Sequence, residues 1–374
     1  MRSKLLPTER QIPTKLEQNR RRFLGSSAMA IVATHLGLTG CANAQSNESA
    51  VRLVPEGSMP SLAGATEWVN SRSLTTANLR GKVVLINFWT FSCINSLRQL
   101  PYLRAWAAKY KDQGLVVVGI QSPEFEFEKN LDDVRWATKS MKLDYPIAID
   151  NDHEIWRAFS NNAWPALYFV DATGRIRHHQ LGEGNYDRAE LVIQQLLMEI
   201  GETSVASGFT SVDARGVEAP ANWSSLRSPE TYLGYERSES FASPGGAATN
   251  QSHNYATPAH LKLNQWALSG DWAVREQCAV LNKINGGISY RFHARDLHLV
   301  MGPASRGASV RFRVLIDQKP PLAAHGGDID LQGNGTIVEP RLYQLIRQPE
   351  PVADRQFDIE FLDSGAEVFV FTFG

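Results

Sequence analysis

Cys93 and Ser96 stand at the spacing of the two sulfurs in a dithiol redox motif, with a hydroxyl where the second sulfur would be. In such a motif a thiolate at the first position attacks a disulfide, and a thiol at the second attacks the resulting mixed disulfide and releases the product. Ser96 cannot perform that second step. Its hydroxyl can still donate a hydrogen bond to a Cys93 thiolate, so the first attack stays chemically open. Two readings compete. Either Cys93 is the sole nucleophile of a monothiol exchanger whose mixed disulfide is resolved by an external thiol, or the site is a relic in a protein that binds or scaffolds. A lone cysteine is also, as a residue type, a small buried hydrophobe.

The elements that would make Cys93 reactive are written around it. Val83 to Phe88 is a β-branched, apolar run after the turn Arg80-Gly-Lys82, which predicts a buried strand. Ser92 reads as a helix N-cap, and Leu97, Leu100, Leu103 and Trp106 recur at helical spacing. Cys93 is therefore expected at a helix N-terminus. There, unpaired N–H groups and the helix dipole favour thiolate and can bring a cysteine pKa from about 8.5 to roughly 3.5 to 7.5. Further strands are predicted at Gly114 to Ile120, Tyr145 to Asp150 and Ala166 to Asp171; Ile176 to Leu181 completes a hairpin, and Asp187 to Ile200 is an amphipathic helix. Strands alternating with helices specify an α/β sheet. Glu124, just after the second long strand, is a candidate proton acceptor, against the ordinary alternative of a solvated loop acid.

The stretch Gly81 to Asn95, Pro101 eight residues after Cys93, Ser122-Pro-Glu-Phe-Glu-Phe-Glu-Lys129, Asp150-Asn-Asp152 and Trp164-Pro165 together resemble the thioredoxin superfamily, in its TlpA-like (redoxin) branch. Within that branch they are similar to the extracytoplasmic portion of DipZ-type proteins. The resemblance implies a thioredoxin-like domain that exchanges thiols and disulfides at Cys93 and uses no cofactor. It implies a cis Trp164–Pro165 bond beside the sulfur, with Pro165, Trp89, Ser92 and Trp164 positioning a disulfide-bearing chain; a trans strand-entry proline is the alternative. The partners it implies are envelope proteins carrying disulfides or thiols. DipZ-type proteins also carry a membrane domain that supplies electrons, so a separate membrane donor or a small thiol is expected here. A one-cysteine peroxidase is a minor alternative: Thr90 lies three before Cys93, as in Pro-x-x-x-Thr-x-x-Cys, but Ile86 occupies the proline position. Arg98 can polarise a peroxide, yet reads better as a solvated charge on a helix face.

Asn19-Arg-Arg-Arg-Phe-Leu-Gly25 resembles a twin-arginine export signal, with Arg20 and Arg21 as the pair. The apolar stretch Ala28 to Leu38 that follows is too short to span a bilayer. A periplasmic or other extracytoplasmic location is expected. Leu38-Thr-Gly-Cys41 resembles a lipoprotein box, making Cys41 a candidate for lipidation and a lipid anchor the only expected tie to a membrane; Ala42-Asn-Ala44 offers ordinary cleavage instead. Of the three cysteines this leaves Cys93 and Cys278 in the folded body, too few for a disulfide framework. Cys278 reads as a strand residue that could in principle resolve Cys93.

The whole chain has 374 residues, 43% of them hydrophobic, and a formal net charge of -1, so two globular domains fit and nucleic acid is not an expected partner. The expected organisation is a signal over 1–44, a linker over 45–61, the thioredoxin-like domain over 62–201, a second linker over 202–228 and an all-β domain over 229–374. In the last, Ile288, Tyr290 and Phe292 alternate with polar residues, as do Val310, Phe312 and Val314, and Phe357, Ile359 and Phe361. That period of two specifies an antiparallel β-sandwich of jelly-roll type. Glu230-Thr-Tyr-Leu-Gly-Tyr235, Trp266 to Trp272, Phe292 to Met301, Arg341 to Gln348 and Phe371-Thr-Phe-Gly374 again resemble the DipZ family, where the sandwich looks like a carbohydrate-binding module. Trp266, Trp272, Arg341 and Tyr343 are the residues that would meet a glycan, each with a core position as its alternative. The histidine pairs His178-His179 and His153-Glu154 lack a second cluster at ligand spacing, and no metal is expected.

Overall fold

The computed structural model describes residues 53–205 and 208–374; the segment expected to be an export signal and Cys41, the expected lipidation site, lie outside them. Strand β1 (Gly57–Ser58) and β2 (Glu67–Val69) precede β3 (Val83–Trp89), which leads into helix α1 (Ile94–Tyr110). There follow β4 (Leu115–Gln121), α2 (Leu131–Ser140), β5 (Ile147–Ile149), α3 (Glu154–Ala158), β6 (Ala166–Val170), β7 (Arg175–Leu181) and α4 (Tyr186–Glu199). The strands form one sheet in the order β1-β7-β6-β3-β4-β5-β2. β3 lies at its centre, parallel to β4 and antiparallel to β6, and every one of its residues is buried. This is why its sequence reads as an unbroken apolar run rather than an alternating one.

The remaining strands are β8 (Thr231–Tyr232), β9 (Ser252–Tyr255), β10 (Trp266–Val274), β11 (Ala279–Leu281), β12 (Gly286–Phe292), β13 (Asp296–Pro303), β14 (Val310–Ile316), β15 (Asn334–Ile337), β16 (Arg341–Arg347), β17 (Arg355–Phe361) and β18 (Ala366–Phe373). All their ladders are antiparallel, in the order β15-β14-β17-β12-β10-β11-β18-β13-β16. β10 belongs to two layers: Trp266 to Ser269 pair with β12, and Trp272 to Val274 with β11. Gly270 sits at the change of partner with φ +85, and a Cβ there would stand 2.9 Å from the Cα of Gly286, so the bend and the close approach both require glycine. The layers face each other through aromatic contacts, Tyr290 to Phe371 at 5.0 Å and Phe357 to Phe371 at 5.8 Å between ring centroids.

The four residues expected at a glycan surface belong to this interior or its edge. Trp266 and Trp272 are buried, with their indole N–H groups donating to the carbonyls of Glu239 and Ser269. Tyr343 is buried, and Arg341 lies 3.7 Å over its ring while donating to Asp328 at 2.7 Å. These side chains hold the β layers together, which is the core alternative. Fully buried indoles and phenols with satisfied N–H and O–H groups are packing residues.

One hydrophobic core runs through both halves. It takes Trp89, Phe91, Phe125 and the inner face of α1 from the α/β half, and Tyr232, Cys278, Val280, Val300 and Phe369 from the outward face of the sheet that contains β18. Phe369 meets Phe125 at 5.1 Å and Phe127 at 4.8 Å. The first two turns of α1 are consequently buried on nearly every side, although their sequence carries Arg98 and Gln99. Gln99 accepts from Asn87 of β3 at 2.7 Å, a buried pair that ties helix to sheet.

Candidate active site

Cys93 is the N-cap residue of α1, with extended backbone (φ -82, ψ 116), and its carbonyl accepts the Leu97 N–H at 3.0 Å. This moves the cap one residue on from the expected Ser92. The Ser92 hydroxyl is engaged elsewhere: it donates to Glu128 Oε1 at 2.6 Å, and its own N–H lies 3.3 Å from the same oxygen. Glu128 is completely buried in a one-turn 3-10 helix (Glu126–Lys129), and its other oxygen accepts the N–H groups of Glu124 at 2.5 Å and Phe125 at 3.1 Å. One carboxylate thus pins the loop after β4 to the loop that presents Cys93. Burial holds the Glu128 carboxyl above the usual range, against the pull of these hydrogen bonds.

The backbone and the hydroxyl of Ser96 both act to lower the thiol's pKa, and the Ser96 oxygen accepts the Thr90 N–H at 3.5 Å. The expected thiolate is nevertheless not the resting state. Cys93 is 8% exposed, and its thiol is pushed up to about 12, first by burial and then by the charges of Glu124 and Glu230. The helix terminus and Ser96 act in the opposite direction and are outweighed. A helix end lowers a thiol pKa where water or a cation helps it; here burial and two carboxylates stand against it.

Glu124 is at the site. Its Oε1 accepts from the Tyr232 hydroxyl at 2.7 Å and from Arg237 at 2.8 Å, both from the β half, and its side chain is only 6% exposed. The Tyr232 oxygen also lies 2.9 Å from Glu230 Oε2, and the Arg237 guanidinium stacks 3.7 Å over the Tyr232 ring. The solvated-acid alternative for Glu124 is therefore wrong in its environment. Arg98, read as a solvated charge, is likewise buried: it pairs with Glu183 at 3.1 Å and donates to the carbonyl of Phe373 at 3.2 Å, clasping α1 to β18.

The Trp164–Pro165 peptide bond is cis. Ala166 pairs with Phe88, which sets Pro165 against the end of β3 from which the chain turns towards Cys93. Trp164 donates to the carbonyl of Ser122 at 2.9 Å and packs 4.3 Å from Trp156. Trp89, by contrast, is completely buried in the core and faces no substrate. Cys278 is free, as Cys93 is, and also 8% exposed; its charged neighbours are Glu367 and Arg275, neither shared with Cys93. Among the described residues no three His, Cys, Asp or Glu side chains gather as metal ligands, and no helix is long and apolar enough to cross a membrane.

Glu128, Glu230, Tyr232, Arg237 and the inward turn of Arg98 are the site residues that sequence reasoning passed over. Three of them stood inside motifs it had quoted, Ser122 to Lys129 and Glu230 to Tyr235, so the signal was position in a motif rather than residue type.

Residues 55–179 match the AhpC/TSA family and residues 228–374 the family described as thioredoxin-like C-terminal domain. Protein DipZ of Mycobacterium bovis is 32% identical over 355 residues, covering 92% of this chain and 47% of DipZ, and DipZ of Mycobacterium tuberculosis aligns equally. The chain thus spans about half the length of these relatives. The thiol-disulfide oxidoreductase YkuV of Bacillus subtilis is 31% identical over 141 residues, 38% of this chain and 95% of YkuV. A solved structure, the solution structure of a thioredoxin-like protein in the oxidised form, aligns with 38% of this chain and 96% of its own length at 32% identity and a TM-score of 0.36.

Proposed function

The chain belongs to the thioredoxin superfamily, and from that premise we propose that it is an exported thiol-disulfide exchange protein whose only nucleophile is Cys93. The observation that carries this reading is Cys93 at the N-cap of α1, with Ser96 in the first turn where a second cysteine would stand. In the reaction the Cys93 thiolate attacks one sulfur of a substrate disulfide, forming a mixed disulfide and expelling the other sulfur as a thiolate. A small external thiol then attacks the mixed disulfide and restores Cys93. Glu124 accepts the Cys93 proton, and Pro165 and Trp164 position the incoming chain. Because the resting thiol is sealed and held up to about 12, exchange requires the lid formed by the β half to admit the substrate.

That same sealing favours a second reading, in which the α/β half is a scaffold without turnover. Incubating the protein with oxidised glutathione and mapping adducts separates the two. Exchange predicts a glutathione adduct on Cys93, removed by reduced glutathione and absent from Cys93→Ser. No adduct on native Cys93, with adducts on the denatured chain, would leave the scaffold.

A further inference from the structure

The segment from Ser61 to Thr76 takes no part in the chemistry at Cys93, yet it encloses a cavity of about 570 Å³. That volume falls within the roughly 300–1,000 Å³ of small-molecule sites. The cavity is built around β2, the edge strand of the α/β sheet. Trp68 is half-buried and packs with Leu74 on the core that holds Leu62, Val84, Ile86 and Phe88. The core shared with α1 and the β half takes Val83, Leu85 and Trp89 from the opposite face of β3, so the cavity and the cover over Cys93 lie on different sides of the sheet.

Its walls are fixed in place. Asn70 donates to the carbonyls of Leu143 at 2.8 Å and Tyr145 at 3.1 Å, Thr66 donates to the carbonyl of Ile149 at 3.1 Å, and the Thr75 hydroxyl donates to Asn78 at 2.8 Å. Other lining groups are unused. Glu67 and Arg72 are exposed, and among the described residues neither side chain meets an opposite charge or a hydrogen-bond partner. The Ser73 and Thr76 hydroxyls and the Trp68 indole N–H are likewise unbonded.

The donor set selects the ligand. A carboxylate only accepts, a guanidinium only donates, and hydroxyls do both. An anion would be repelled by Glu67 and a cation by Arg72, so the pair disfavours a charged ligand of either sign. A ligand carrying neighbouring hydroxyls satisfies both at once, each hydroxyl donating to the carboxylate or accepting from the guanidinium. Trp68 adds a flat apolar face with a polar N–H at its rim. A pyranose ring has the matching shape, with C–H groups on its faces and hydroxyls around its edge. We propose that this cavity binds a neutral saccharide, one ring laid on Trp68 and adjacent hydroxyls held by Glu67 and Arg72. The site shares no residue with the β half and does not depend on the reactivity of Cys93.

The test is calorimetric titration of the full chain with three neutral trisaccharides: cellotriose, maltotriose and tri-N-acetylchitotriose. At least one is expected to bind with a Kd of roughly 0.1 to 1 mM. Trp68→Ala should weaken that binding about tenfold or more, the scale of a lost stacking platform. Because Trp68 also packs on the core, Glu67→Gln and Arg72→Gln carry the test independently: both are exposed, and each should weaken binding about three- to tenfold with the urea midpoint unchanged. Cys93→Ser should bind as wild type does. Absence of binding by all three sugars overturns the proposal. So does binding that Glu67→Gln and Arg72→Gln leave unchanged, which would put the sugar elsewhere on the molecule.

Discussion

Cys93 and Cys278 are buried to the same extent, and burial is the leading cause that pushes each thiol up to about 12, yet they sit in unlike surroundings. The groups that act on the Cys93 thiol include several that can hold, move or feel a proton: Ser96, Glu124, Glu230, and through Ser92 the carboxylate of Glu128. Around Cys278 there is a strand edge, the apolar core, and one carboxylate with one guanidinium. Burial alone does not separate a dormant nucleophile from a packing residue. What separates them is position and company: Cys93 caps a helix beside Ser96 and two carboxylates, whereas the one carboxylate beside Cys278 is opposed by Arg275.

Replacing Ser96 with cysteine should break the comparison most completely. A second thiol three residues along α1 would attack any mixed disulfide on Cys93, so Ser96→Cys is expected to acquire dithiol activity from a background of none and to form an internal disulfide. Retention of two alkylatable thiols at 93 and 96 after oxidation would show that the helix end is not shaped for that bond.

The next effect is on the clasp that covers one cysteine only by way of α1. Arg98→Ala leaves Glu183 buried without its partner, for an expected loss of about 3–5 kcal/mol in urea unfolding. Partial unfolding should expose Cys93 to alkylation before Cys278; the reverse order would place the weak point elsewhere.

Alkaline pH sharpens the likeness rather than the contrast. Each thiol has its pKa raised on folding from an ordinary 9.0 to about 12, so over that window the unfolded chain gives up protons that the folded chain retains. Stability is complete below the ordinary value and falls as pH rises towards the folded one, by about 1.4 kcal/mol per pH unit for each thiol. Cys278→Ala should therefore remove about half of the cysteine-linked decline in urea midpoint above pH 9. An unchanged decline would mean that Cys278 ionises freely in the native state.

The smallest effect belongs to the surface. Arg306 reaches Asp133 at 3.3 Å and Asp132 at 3.6 Å across the two halves, all partly or largely solvated. Arg306→Ala is expected to cost no more than about 1 kcal/mol and to leave both thiols as protected as before. Faster alkylation of either would make this pair a latch.

The sequence disclosed the α/β sheet and the alternating β layers because period and composition are local signals. β3, β4, β6, β7 and α4 fall within a residue or two of expectation, and the cis bond before Pro165 was legible from the family pattern. It did not disclose what stands over Cys93. The N-cap shifted from Ser92 to Cys93 because Glu128, thirty-six residues downstream, claims the Ser92 hydroxyl. The thiol pKa runs opposite to expectation because helix position is written locally, whereas burial and the charge of Glu230, far along the chain, are not. Trp266 and Trp272 drew attention as surface aromatics for the same reason, since a single residue's type does not say which side of a sheet it will face.

The clasp between Arg98 and the Phe373 carbonyl also has a meaning in time. Synthesis delivers α1 well before β18, so the nascent α/β half completes its own sheet while Phe125, Phe127 and the outer side of α1 still lack the strands that cover them. Until then the half-made protein presents an apolar face and an uncovered thiol to its surroundings. Sealing of Cys93 therefore waits for β18, and a thiol-reactive probe applied during translation would report whether that strand has been added.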